Sequence, residues 1–166
     1  MDQLFVTAYQ ELRRLAATVR GDAPGVTLSP TDLVNEAWLK LSASANLRPT
    51  SRLHFKRIAA RAMRQVLVEA ARRRNAAKRG GGSALVTFDE ALEEAASTPE
   101  EVLALDAALE RLCRISPRQA LMVESRFFGG LDVAETADLL QVSEATVLRD
   151  WRAARAWLAD ELRHPR

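Results

Sequence analysis

Between Ser143 and Arg152 the chain reads SEATVLRDWR, a stretch whose residue types can read nucleic acid. The Arg149 guanidinium can donate two hydrogen bonds to guanine, Glu144 can accept one from a cytosine amino group, and Ser143 or Thr146 can bond a phosphate at a helix N-terminus. Val147, Asp150 and Arg152 complete the segment that such a helix turns toward bases. The spacing gives these types their meaning. Asp132 and Glu135 can form a capping box for a helix ending near Leu140, Gln141-Val142 leaves room only for a tight turn, and Ser143 can cap the next helix. Val147, Trp151, Ala154 and Leu158 then recur at helical spacing as its buried stripe. This is helix-turn-helix spacing, and the second helix of such a pair fits a major groove about 12 Å wide. At this local level a plain helical hairpin with solvated arginines competes, since the helix carries four bases and four acids between Glu144 and Arg163.

A second set of candidates is defined by charge. The net charge is only +2, but Arg52 to Arg79 holds ten Lys or Arg against one acid, Glu69, whereas Val86 to Leu112 holds eight acids against one base, Arg111. Such a basic run suits a phosphate backbone. The basic block followed by an acidic one suggests two modules with a connector. Gly80, Gly81 and Gly82 open a stretch without helical periodicity, which reads as a flexible linker. The boundaries are 1–75, 76–99 and 100–166.

The elements that position these residues are helices. Of the 166 residues 48% are apolar and only 5% aromatic, and no stretch alternates as a half-buried strand does, so an all-α protein of two small helical domains is expected. Three helices are read in the first half. One spans about Gln3 to Arg20. The next opens with Ser29 as cap, Pro30 at the first helical position and Asp32 near a capping box, with Leu33, Ala37, Leu39 and Leu41 as apolar positions. The third starts near Thr50 or Ser51 and runs to about Asn75, with Phe55, Ile58, Ala62, Val66 and Ala70 at helical spacing. In the second half, Thr98-Pro99 and Ser116-Pro117 each combine a capping side chain with a helix-starting proline, and Gly129 and Gly130 can adopt positive φ to end a helix. Trp38, Trp151 and Trp157 sit in register with apolar neighbours and read as core packing rather than base stacking.

The exclusions are equally plain. The apolar runs are too short to span a bilayer and MDQLFVTAYQELRR lacks a signal-peptide core, so a cytoplasmic chain with no membrane partner is expected. The single cysteine, Cys113, is assigned to core filling. With His54 and His164 it makes no metal-ligand cluster, and neither a paired nucleophile nor a strand-linked phosphate loop is present. No metal, cofactor or enzymatic activity is expected.

Taken together, the motifs resemble an extracytoplasmic-function (ECF) sigma factor of bacterial RNA polymerase. TDLVNEAWLKL resembles the family's DLVQEVFLRLW helix, MRQVLVEAARRR its promoter-reading helix, and TVLRDWRAARAWL its TVKSRLxRARxxL recognition helix. The resemblance implies that residues 1–75 bind the polymerase β′ clamp and the minus-10 element, and residues 100–166 the β flap and the minus-35 element. Asp32, Leu33, Asn35, Glu36 and Trp38 match the clamp-binding motif. Arg64 and Gln65 match the promoter-melting segment, and Arg72, Arg73, Arg74, Lys78 and Arg79 its phosphate-binding end. Ser143, Glu144, Thr146, Val147, Arg149, Asp150 and Arg152 match the minus-35 reader.

The chain departs from the family pattern in two places. Ser29-Pro30-Thr31-Asp32 stands where Asp-Ala-Glu-Asp is usual, and Asp150 stands where Arg is usual. RFFGGL, KRGGG and RDWRAARAWL resemble a subgroup often found without a neighbouring membrane anti-sigma factor, and the first departure places the chain with members that lack the acidic clamp motif. It implies weak polymerase binding until charge is supplied. Phosphorylation of Thr50 or Thr31 by a Ser/Thr kinase would supply it, and an anti-sigma factor is the other regulator. A helix-turn-helix regulator acting without replacing the housekeeping sigma factor is the alternative function, though no dimerisation heptad is apparent.

Overall fold

The computed structural model describes residues 28–44, 51–77 and 99–164. Among them are six helices, α1 (Pro30–Ala43), α2 (Arg52–Ala77), α3 (Pro99–Ile115), α4 (Pro117–Phe127), α5 (Val133–Leu140) and α6 (Glu144–Arg163), and no strand. The chain is all-α. The helix expected over Gln3 to Arg20, the Gly80–Gly82 run, and Thr50, Lys78 and Arg79 lie outside the described residues.

Side chains at the helix starts do what their types predict. Ser29 Oγ accepts from the Asp32 N–H at 3.1 Å while the Asp32 carboxylate accepts from the Ser29 N–H at 3.2 Å. Asp132 and Glu135 repeat this reciprocal box at α5, at 2.8 and 3.1 Å, and the Ser143 hydroxyl caps α6 by accepting from Thr146 N–H. Each cap is worth about 1 kcal/mol. Ser116 is the exception, because its side chain makes no capping bond. Its own N–H instead donates to Leu112 O at 2.7 Å, so this residue closes α3, and Pro117 alone marks the start of α4.

The core is built from one stripe of each helix. Leu33, Val34, Ala37 and Leu41 of α1 pack on α2, which contributes Phe55, Met63 and Val66. Leu39, expected among the apolar positions, is 62% exposed. At about 3.6 residues per turn it falls opposite the centre of the stripe formed by Leu33, Val34, Ala37 and Leu41. Trp38, Trp151 and Trp157 are partly buried against the core. Cys113 is exposed rather than core-filling, since it follows the buried Leu112 at the edge of the α3 stripe and opens into a cleft.

The helices on the two sides of residues 78–98 pack together. The basic helix α2 lies against α3, α4 and α5, so the basic block and the acid-bearing helix that follows it are in direct contact. Ala60 of α2 approaches Gly129, where an added Cβ would stand 3.1 Å from Ala60 Cβ and 2.4 Å from Ser125 O. Gly129 is therefore required for space, whereas Gly130, at φ 61°, ends α4 in the left-handed region. No described helix is long and apolar enough to cross a membrane.

Candidate nucleic-acid interface

α5 and α6 are joined by a three-residue turn. Gln141 takes the left-handed conformation (φ 54°, ψ 47°), and its N–H reaches the carbonyls of Ala137 and Asp138. Its side-chain amide donates to Asp138 O at 2.6 Å. The turn delivers α6 with its first residues outward. Ser143, Glu144, Arg149 and Arg152 are exposed and Thr146 is half-buried, its hydroxyl 3.0 Å from Ser143 Oγ.

Val147 and Asp150, expected to face bases, are buried. Val147 belongs to the stripe that holds α6 to the core. Asp150 lies beside that stripe, and a carboxylate there needs a cation. Arg118 of α4 supplies it, with Nη2 2.6 Å from Asp150 Oδ2. A second arginine of α4, Arg126, stacks 4.2 Å above the Trp151 ring. Burial pushes its guanidinium down from the usual arginine range, partly opposed by the charge of Asp132. Arg118 and Arg126 thus brace successive residues of α6. Sequence reasoning missed both, although an acid next to Val147 on the inward face was the signal for a partner.

On α2, Gln65, Arg72 and Arg73 are exposed and Arg74 is half-buried. Arg64 is in a different situation. Its Nε donates to Asp106 Oδ1 at 2.8 Å, Nη1 to Glu124 Oε2 at 2.7 Å, and Nη2 to Glu110 Oε1 at 3.0 Å and to Asp106 O at 3.2 Å. Burial alone would lower its pKa, but the hydrogen bonds and charges of Glu124 and Asp106 outweigh it and hold the guanidinium above its usual value. Arg72 reaches Asp106 at 4.0 Å, and Lys56 pairs with Glu135 of α5 at 2.6 Å. The basic helix therefore meets acids of three later helices.

On α1, Asp32, Asn35 and Glu36 are exposed, Trp38 is half-buried and Leu33 is fully buried. Leu33 holds the helix in place and does not reach outward. Leu39 shares the outward face of Asp32, Asn35 and Glu36 by its spacing and adds an apolar contact to it. Thr31 is exposed in the first turn.

All-helical described residues with exposed arginines on α2 and on α6, the latter capped with its N-terminal turn outward, have the make-up of a DNA-binding transcription protein. The family comparison specifies which. The family described as ECF sigma factor matches residues 1–164, and the chain belongs to it. Its members act in transcription initiation and bind core RNA polymerase and promoter DNA. No curated protein and no solved structure matches this chain.

Proposed function

We propose that this sigma factor divides promoter recognition between two regions, with residues 1–75 binding the β′ clamp and the minus-10 element and residues 100–166 binding the β flap and the minus-35 element. The observation that carries this reading is the outward N-terminal turn of α6. Capped by Ser143, it presents Glu144, Arg149 and Arg152 with no core role to occupy them. In this reading α5 and α6 form a helix-turn-helix whose second helix enters the major groove, Arg149 reads a base, and Arg72, Arg73 and Arg74, with Lys78 and Arg79, hold phosphates. Asp32, Asn35, Glu36 and Trp38 meet the clamp.

The clamp-facing turn carries Ser29, Pro30 and Thr31 in place of acids, which fits the subgroup lacking the acidic motif and a low affinity in the unmodified state. A phosphate on Thr31 would stand in the first turn of α1, where the helix dipole favours it. A phosphate on Thr50 would precede α2. A Ser/Thr kinase is the regulator this reading calls for, and an anti-sigma factor is the other. The reading is tested by adding the purified chain to core polymerase over a random promoter library, with and without kinase treatment. Enrichment of a paired minus-35 and minus-10 sequence is the expected result. Failure to enrich any pair overturns it.

A further inference from the structure

Arg64 and three carboxylates form a charge cluster across the seam between the helices on either side of residues 78–98. The guanidinium spends donors on Asp106, Glu110 and Glu124, the group with which a DNA phosphate would compete. The flanks repeat the pattern, with Lys56 on Glu135 and Arg72 on Asp106. Between them, Gly129 lets α2 come close through Ala60. The remaining space is an open cleft of about 1000 Å³ whose α2 wall carries Arg61 and Gln65 and whose α3 wall carries Asp106, Glu110 and Cys113. A phosphate backbone approaching Gln65 would meet these carboxylates.

We propose that this cluster is an intramolecular lock: the acids of α3 and α4 stand in for promoter phosphates on Arg64, and the two sets of helices must part before α2 engages DNA. The inference rests on the reading of α2 as the minus-10 region. The chemistry suits a contact that opens. Glu110 is 63% exposed and Arg72 is 68% exposed, so part of the cluster is screened by salt and weak. The ion pairs sit beside apolar packing of α2 on α3, and parts of one chain move relative to one another except where the contact between them is large and hydrophobic. A closed state that hides the binding face lowers the apparent affinity for promoter by the fraction of molecules that are open.

The unique cysteine supplies the test. In the full-length Arg61→Cys variant, thiols on α2 and α3 line one cleft and can be joined by a bis-maleimide with a cleavable disulfide in its spacer. The free protein should cross-link within one chain, and doing so should cut promoter-specific transcripts by about tenfold or more, with recovery when the spacer is reduced. The Asp106→Asn, Glu124→Gln double substitution should lower the cross-linking yield and raise promoter affinity about fivefold at low salt. Transcription by the cross-linked chain at the level of the cleaved chain overturns the lock while leaving the sigma-factor reading intact. So does a cross-linking yield in the free protein no higher than in the polymerase–promoter complex. If the cleaved chain and the unsubstituted protein give no promoter-specific transcripts, the two-region reading has failed and the lock falls with it, whatever the cross-linking yield.

Discussion

Arg149 and Arg64 occupy similar places in their helices, on turns beside a buried stripe, yet they meet opposite surroundings. Arg149 of α6 has a 72% exposed side chain, and Arg64 of α2 only 13%. The difference arises from what lies opposite. α6 is braced from behind by α4 through Arg118 and Arg126, which leaves its front turn uncovered. α2 is faced by acids of α3 and α4, which take its arginine into the protein. A basic residue on the expected face of a helix is thus available for DNA only if no part of its own chain claims it first.

Removing each arginine should separate the regions most clearly. Arg64→Ala strands Glu124 part-buried without its cation, leaves Asp106 only the 4.0 Å contact to Arg72, and should cost about 2–4 kcal/mol of stability, much of it from carboxylates that have lost their main partner. Arg149→Ala should stay within about 0.5 kcal/mol. Urea denaturation of the two variants checks this, and equal shifts would break the comparison.

In promoter selection the order should reverse. Arg149→Ala should relax choice at one minus-35 position by about 1–3 kcal/mol, whereas Arg73→Ala should weaken all promoters alike. Competition transcription on a minus-35 library measures this, and a uniform loss in both variants would contradict it.

A smaller effect sharpens the view of α6 as braced from behind. Asp150→Asn weakens the bond to Arg118 and should cost about 1–2 kcal/mol in thermal unfolding, while Glu144→Gln, at the exposed start of the same helix, should cost less than about 0.5 kcal/mol. The caps come last among the contacts that can be broken. Ser143→Ala and Ser29→Ala should each lose about 1 kcal/mol, a pair of unfolding midpoints that should match if the two starts are equivalent.

Helix boundaries and caps were the most legible part of the sequence, because they depend on neighbours three or four residues away. Ser29 with Asp32, Asp132 with Glu135 and Ser143 all act as read, and α2 runs from Arg52 where Thr50 or Ser51 was the expected start. The stripes of α2 and α6 were also legible from their period. Cys113 and Leu39 were misjudged, since apolar character alone does not say on which side of a stripe edge a residue falls. Asp150 and Arg64 could not be placed for a different reason. Their partners, Arg118 and the acids of α3 and α4, lie 32 to 60 residues away in sequence. The segregation of charge into a basic block and an acidic one is visible in the sequence and suggests two modules with a connector, but not how they face each other. Opposite charge also binds, and in the fold the blocks meet.

Gln141 holds one further consequence. A glycine would take the left-handed turn between α5 and α6 without strain, and a glutamine there gives up about 1 kcal/mol. In exchange the linkage is stiff, because a side chain with its own bond to Asp138 O restricts the angles through which α6 can swing. The disorder that a glycine hinge would retain until DNA contact is removed here during folding. On the proposed reading of α6 as the minus-35 reader, a stiff corner narrows the range of DNA geometries that α6 can meet, and tolerance for a displaced element would have to come from elsewhere in the chain.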